Sequence, residues 1–85
     1  MKVFNYVITD EIGIHARPAG MLVKEAKEFA STITIEANGK KADLTKLMML
    51  LSLGVKKGAE VTITAEGADE DAAIAAMETI FQENL

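Results

Sequence analysis

Residues 13–19, which read GIHARPA, restrict the fold of this chain more than any other segment, because they hold its only histidine and its only proline. Proline has no backbone N–H, and it is tolerated in the first turn of a helix, where amide hydrogens have no partner within the helix. The segment therefore predicts the start of a helix, with His15 at or next to the N-cap. Gly13 gives the chain the freedom to turn sharply out of the strand before it.

The placement of His15 predicts a chemical role. A helix N-terminus presents unpaired N–H groups and a partial positive charge, so an exposed anion beside it is stabilised by about 0.3–1 kcal/mol. Arg17 adds a fork of donors shaped for phosphate or carboxylate oxygens. Neutral imidazole is a good nucleophile near pH 7, so His15 could attack an electrophile and have the anionic adduct held in place. A solvated histidine that caps a helix by chance is the alternative; we favour the functional interpretation because Gly, His, Arg and Pro coincide in one short segment.

Composition narrows the class of protein. The 85 residues suffice for one small core, so we expect a single domain over residues 1–85 that acts as a carrier or binding module. The absence of cysteine and the single histidine predict no disulfide and no metal site. The chain also has no glycine-rich loop of the kind that binds a nucleotide, so we expect no cofactor. No apolar run approaches the ~20 residues of a membrane span, and residues 1–6 do not resemble a signal peptide, which predicts a cytoplasmic protein without membrane insertion. The net charge of −4 argues against nucleic-acid binding.

Four segments carry the hydropathy pattern of strands, and they cover residues 3–8, 32–36, 40–43 and 60–66. Asn38-Gly39, between the second and third strands, is the strongest short signal for a hairpin. With the helices described next, the order of elements is βαββαβα. This order predicts an α+β fold with a four-stranded, mostly antiparallel sheet and three helices on one face.

Three segments are predicted to be helical. The first helix runs from Ala16 to about Ala30, with a core-facing stripe formed by Ala19, Leu22, Val23, Ala26, Phe29 and Ala30. The second is short, covers residues 46–53, takes Thr45 as its N-cap and is followed by Gly54. The third begins after Asp69, its expected N-cap, and has Glu70 and Asp71 in its first turn.

Two helical surfaces are candidates for partner binding. On the first helix Arg17, Gly20, Lys24 and Lys27 follow a three-four-three spacing, which predicts a cationic row that starts beside His15 and steers an acidic partner. A merely solvated charged face is the alternative for this row. The second helix is apolar almost all the way round, so it cannot bury every side. We assign Leu50 and Leu53 to the core, and Leu47, Met48 and Leu51 to a docking surface, for which the flexible methionine side chain is suited.

The GIHARPA segment, together with Ser52-Leu53-Gly54 and residues 57–63 (KGAEVTI), resembles the HPr family, the histidine-containing phosphocarrier proteins of the bacterial phosphoenolpyruvate:sugar phosphotransferase system. The resemblance covers essentially the whole chain. It implies an open-faced β-sandwich of four strands and three helices. It also implies that His15 is phosphorylated on Nδ1 by phospho-enzyme I and passes the phosphoryl group to sugar-specific IIA domains.

The same resemblance assigns further site residues. Ala16 and Arg17 are expected to bind the phosphoryl group, with Arg17 neutralising its charge. The family's second helix packs beside the histidine and contacts both enzyme I and the IIA domains, which places Ser52 in the docking surface with the residues named above. We expect a monomer that binds these partners in turn.

Two other interpretations of these residues stay open, and one residue departs from the family pattern. A small phosphatase or phosphotransferase with His15 as nucleophile lacks an identifiable general acid or water-positioning base. A regulatory module that binds through Leu47, Met48 and Leu51 alone predicts that His15 can be replaced without loss. Many Gram-positive members of the family have a regulatory serine at the start of the second helix, where this chain has Lys46. We therefore expect no regulatory phosphorylation site, and Thr45 is not a substitute for it because one residue turns a helical side chain by about 100°.

Overall fold

A single antiparallel sheet organises the fold in the computed structural model, which describes residues 1–85. Its strands are β1 (Lys2–Val7), β2 (Thr32–Ala37), β3 (Lys40–Asp43) and β4 (Glu60–Glu66), and they lie side by side in the order β1-β4-β2-β3. The helices are α1 (Ala16–Ala26), α2 (Leu47–Ser52) and α3 (Glu70–Asn84). Each neighbouring pair of strands is antiparallel. The predicted α+β class, the open-faced sheet and the order βαββαβα are confirmed.

The hairpin between β2 and β3 forms where the sequence predicts it. Asn38 and Gly39 have φ angles of +54° and +77°, and they connect the paired residues Ala37 and Lys40. Two consecutive positive φ angles are those of a type I′ turn, whose twist matches the twist of the flanking strands. The side chain of Asn38 also donates a hydrogen bond of 3.1 Å to the backbone oxygen of Leu53, just after α2. The turn is thereby tied to the end of the short helix.

The core lies between the sheet and the helices. Alternate residues of β2 and β4 face it, and Ile33, Ile35 and Ile63 are fully buried. From α3, Phe81 packs against Phe4 and Tyr6 of β1, with ring centroids 5.8 Å and 5.6 Å apart. Loss of such a fully buried aromatic ring costs about 3–5 kcal/mol. None of the three helices combines the length and the apolar character needed to cross a membrane.

The first helix is shorter than predicted. It ends at Ala26, not near Ala30, and its last turn tightens into a bond from Phe29 N to the oxygen of Ala26. Beyond this turn, the Asp69 carboxylate accepts hydrogen bonds from the backbone N–H groups of Ala30 (2.8 Å) and Ser31 (2.9 Å). These amides therefore do not continue a helical ladder. Phe29 still packs against the core, but Ala30 is exposed, so its assignment to the core stripe was wrong.

The caps of the other helices differ in part from the prediction. Lys46, not Thr45, is the N-cap of α2. The reason is that Asp43 accepts hydrogen bonds from both the backbone N–H of Thr45 (2.8 Å) and its hydroxyl (2.7 Å), so this hydroxyl faces away from the helix. Asp69 occupies the predicted N-cap position of α3, but its side chain caps no amide of that helix. Gly54 follows α2 with φ +67°, as expected of a residue after a helix end.

Candidate functional site

The loop before His15 is held in place by the carboxylate of Asp10, a residue of the same loop. Oδ2 of Asp10 accepts hydrogen bonds from the backbone N–H groups of Ile12 (3.0 Å) and Gly13 (3.1 Å). The N–H of Asp10 donates to the backbone oxygen of Leu85 at 2.9 Å, and Glu11 pairs with Lys57 at 2.9 Å. An aspartate that accepts from the amides two and three residues ahead stabilises a tight turn. The segment that delivers the histidine is therefore built from defined contacts.

Gly13 is required at this point for a reason beyond the turn itself. It has φ +84°, and a β-carbon placed on it would lie 2.3 Å from the backbone oxygen of Val55. The same oxygen accepts a hydrogen bond of 3.0 Å from the N–H of Ile14. The loop thus lies directly on the segment after α2, and only a residue without a side chain permits this approach.

His15 is the N-cap of α1, as the sequence predicts. Its backbone is extended (φ −122°, ψ −172°), and its oxygen accepts the hydrogen bond of 2.9 Å from the N–H of Ala19. The imidazole is half-buried and makes no capping hydrogen bond, so it is not engaged in holding the helix. Its ring nitrogens remain available for chemistry at the end of a helix.

The amide donors at this helix end are few and adjacent. Pro18 has no N–H, and the N–H of Ala19 is already bound to the oxygen of His15. The N–H groups of Ala16 and Arg17 therefore remain as donors in the first turn. The guanidinium of Arg17 is on an exposed residue and takes part in none of the three ion pairs of the structure. The residues predicted to bind an anion thus directly follow His15 in the first turn of α1, and neither their amides nor the guanidinium has a competing partner.

The cationic row lies on one helix as predicted. Arg17, Gly20 and Lys24 belong to α1, and Lys27 is its C-cap with helical backbone angles. Lys24 and Lys27 are exposed, Gly20 is half-buried, and neither lysine forms an ion pair. The row presents positive charge to solvent from the His15 end of α1 to its other end.

The second helix presents the predicted apolar surface. Leu50 and Leu53 are buried, which confirms their assignment to the core, whereas Met48 is 77% exposed and Leu47 is 39% exposed. Leu51 is half-buried and packs partly on the core, so it offers less surface than the prediction implies. Ser52 is exposed, and its hydroxyl donates to the backbone oxygen of Met49 at 2.7 Å. α2 packs against α1, which places this surface on the helix next to the one that His15 begins.

Met49 and Ile12 are among the exposed apolar residues to which the sequence assigned no role. Met49 is 50% exposed, although helical periodicity places it closer to the buried side than Leu51. Ile12 is 64% exposed and lies three residues before His15. The exposure of Ile12 could have been predicted, because this isoleucine lies in the loop between the first strand and the first helix and belongs to neither of their core faces. Both residues therefore add apolar surface that is open to solvent, Met49 on α2 and Ile12 in the loop before His15.

The carboxyl groups with perturbed pKa values hold loops in place. The hydroxyl and amide of Thr45 hold the pKa of Asp43 below its ordinary value, against the opposing effect of partial burial. The side chain of Ser31, with the amide of Ala30, lowers the pKa of Asp69 in the same way. Hydrogen bonds to an ionised carboxylate favour the charged form. Both carboxylates therefore stabilise loops next to helices: Asp43 holds the residue before the N-cap of α2, and Asp69 holds the segment that follows α1.

The fold and site together define an open-faced β-sandwich with a histidine at the head of its first helix. Residues 2–83 match the family model described as the HPr component phosphorylation site of the phosphotransferase system. The phosphocarrier protein HPr of Mycoplasma capricolum is 48% identical over 77 residues, which span 91% of this chain and 86% of that protein. The chain belongs to the HPr family, the phosphocarrier proteins of the phosphotransferase system.

Solved structures agree with this assignment. A mycoplasma histidine-containing phosphocarrier protein superposes with a TM-score of 0.94 at 44% identity, covering 96% of this chain and 93% of that one. Crh of Bacillus subtilis superposes with a TM-score of 0.78 at 39% identity, covering 89% and 87% of the two chains, and is described as a domain-swapped dimer.

Proposed function

We propose that this protein carries a phosphoryl group on Nδ1 of His15, accepting it from phospho-enzyme I and passing it to sugar-specific IIA domains. The observation that carries the proposal is the N-cap position of His15 with its imidazole free of capping bonds. In the accepting step the Nδ1 lone pair attacks phosphorus. An N–P bond forms as the bond between phosphorus and enzyme I breaks, and that electron pair stays with enzyme I. The donating step reverses these roles towards a IIA domain.

The groups around His15 support binding of the transferred phosphoryl group. The N–H groups of Ala16 and Arg17 are the free donors of the first turn, and the Arg17 guanidinium adds a charge beside them. The helix end contributes about 0.3–1 kcal/mol for an exposed anion, and a hydrogen bond to a charged group about 1.5–3 kcal/mol. Interactions of this size stabilise the phosphorylated histidine but still allow the phosphoryl group to be passed on, as a carrier requires.

Docking would use the two surfaces next to the site. We propose that Gly20, Lys24 and Lys27 of the cationic row steer an acidic partner, and that Leu47, Met48, Leu51 and Ser52 supply the contact of α2. Exposed apolar side chains that become desolvated usually dominate the energy of an interface, whereas charges at its rim mainly set the rate of association.

The protein acts in this proposal as a non-enzymatic carrier, because its partners supply the remaining groups of each transfer site. Such a carrier would work in the cytoplasm and as a monomer, since His15 must be presented in turn to two kinds of partner. The domain-swapped dimer of Crh is the opposing precedent, and sedimentation of the free protein distinguishes the two states. No regulatory phosphorylation is expected at the start of α2, because Lys46 has no hydroxyl and the Thr45 hydroxyl is bound to Asp43.

Incubation with phosphoenolpyruvate and enzyme I tests the proposal. We expect one phosphoryl group per chain, labile in acid and stable in base, and absent from the His15→Ala variant. Arg17→Gln should still be labelled, but about tenfold more slowly, because one charged hydrogen bond is lost. Label that persists in His15→Ala, or no mass shift with an active enzyme I, contradicts the carrier function. Full activity of His15→Gln in sugar uptake would favour the regulatory-module alternative.

The docking surface has a separate test. Met48→Glu should weaken binding to enzyme I by about tenfold or more while leaving the fold intact, because it places a charge in the apolar contact. Glu36→Gln on β2, an exposed substitution away from α2, is the control and should bind as the unmodified protein does. Unchanged affinity of Met48→Glu would remove this residue from the docking surface.

A further inference from the structure

The sulfur chemistry of this protein belongs to its methionines, because the chain has five of them and no cysteine. They differ sharply in exposure. Met48 is 77% exposed and Met49 is 50% exposed on α2, Met21 is 38% exposed on α1, and Met77 is fully buried in α3. Met1 is exposed at the start of the chain, next to β1. Met48 is therefore the most exposed thioether, with only Met1 of the other methionines near it at 71%. No thiol on the chain competes for an oxidant.

We propose that Met48 is a site of reversible oxidation that lowers the affinity of this protein for enzyme I. The inference rests on the proposed function, since it requires Met48 to be part of the docking surface. The thioether lone pair attacks one oxygen of a peroxide, here hydrogen peroxide. The O–O bond breaks, an S–O bond forms, and the second oxygen leaves as water after taking up the proton of the transferred hydroxyl. Sulfur is oxidised by two electrons and the peroxide is reduced by two.

The consequence for docking follows from the change in polarity. A sulfoxide is polar and chiral, whereas the thioether is flexible and apolar. Burying a polar group without a hydrogen-bond partner is unfavourable. The docking contact that is stabilised by the apolar thioether of Met48 is therefore weakened when this side chain is a sulfoxide. We expect the dissociation constant for enzyme I to rise about tenfold.

The position of Met48 makes the effect specific to docking. The residue lies on the side of α2 opposite the buried Leu50, so oxidation there disturbs no core contact. Met77, in contrast, is part of the core and reports on the fold, since it becomes reactive only when the protein opens. Reduction of the sulfoxide by a methionine sulfoxide reductase, with a dithiol as the electron donor, restores the thioether.

The experiment treats the full chain with dilute hydrogen peroxide and follows each methionine by peptide mass spectrometry. Binding to enzyme I is measured by titration before treatment, after treatment and after incubation with methionine sulfoxide reductases and dithiothreitol. We expect Met48 to oxidise before Met49 and Met21, Met77 to stay intact, affinity to fall about tenfold, and reduction to restore it.

Leucine variants assign the effect, because leucine is apolar, of similar volume and not oxidised. Met48→Leu should bind enzyme I equally well before and after peroxide treatment. Met49→Leu and Met21→Leu should still bind it more weakly after treatment than before. Loss of affinity in peroxide-treated Met48→Leu, or full affinity of the Met48 sulfoxide, overturns the inference. Either result leaves the proposed function standing if the untreated protein is phosphorylated on His15. Absence of that phosphorylation contradicts the proposed function instead.

Discussion

Replacement of Gly13 by alanine tests how strictly the loop before His15 depends on a residue without a side chain. The added β-carbon would lie 2.3 Å from the backbone oxygen of Val55 and 2.5 Å from Cα of Lys56. Both contacts are with backbone atoms, so no side-chain rotation relieves them. Either the loop or the segment after α2 must shift, and the hydrogen bond from Ile14 N to the Val55 oxygen lengthens from 3.0 Å.

The magnitude has two parts. A φ of +84° costs an L-residue about 1–2 kcal/mol, and the weakened hydrogen bond adds about 0.5–1.5 kcal/mol. The expected loss in the free energy of unfolding is therefore about 1.5–3.5 kcal/mol, before any further repacking around Val55. A chain of 85 residues has about 4–13 kcal/mol in total, so the variant should fold but with a large part of its stability gone.

Urea unfolding and the rate of phosphoryl transfer from phospho-enzyme I measure the two consequences. Gly39→Ala is the matched control, because Gly39 has a similar φ of +77° but open space where a β-carbon would lie. It should lose only about 1–2 kcal/mol and transfer phosphoryl groups at the unmodified rate. Gly13→Ala should be less stable than this control and slower in transfer even where it is folded. Equal stability and equal rates in the two variants would refute the reasoning.

Three other substitutions follow from the same structure. Gly20→Ala should raise the free energy of unfolding by about 0.5–1 kcal/mol in urea titrations, because Gly20 lies within α1 and its β-carbon position is open. Lys46→Ser should raise it by about 0.5–2 kcal/mol in the same assay, since serine is a good residue at the N-cap of α2, which Lys46 leaves without a side-chain bond. The Asp69 pKa is lowered in the folded state, so its contribution is complete above pH 4 and is lost as the pH falls through the folded pKa. As the pH falls below about 4, Asp69→Asn should therefore lose stability less steeply than the unmodified protein when acid unfolding is followed by circular dichroism. Identical pH profiles of the two proteins would contradict the role assigned to Asp69.

Local chemistry predicted the elements and the centre of the site. Pro18 marks the first turn of α1, and its position three residues after His15 places the histidine at the N-cap. Asn38 and Gly39 accept the positive φ angles of a tight hairpin because of their own backbone preferences. Such features depend on residues close in sequence, and this is why they are readable without the fold.

Carboxylates account for both errors at the helix ends, one acting from a distant segment and the other from two residues away. The periodicity of α1 continues to Ala30, but Asp69 of the α3 cap takes the amides that a longer helix would need. Thr45 has the side chain of an N-cap, but Asp43 at the end of β3 accepts its hydroxyl hydrogen. At Ala30 and Ser31 the carboxylate takes amide donors that a longer helix would use, and hydrogen bonds to a charged acceptor are the stronger ones. At Thr45 the carboxylate orients the hydroxyl that would otherwise accept a bond from a helix amide.

The sequence by itself determined the order of elements, the position of His15 at a helix start and the membership of the HPr family. Only the tertiary structure decided which atoms meet around them. It places the backbone of Val55 against Gly13, and it leaves Met49 in solvent where periodicity alone does not. The physical reason is that capping and turn preferences act within a few residues, whereas exposure and close backbone approach depend on segments that folding brings together.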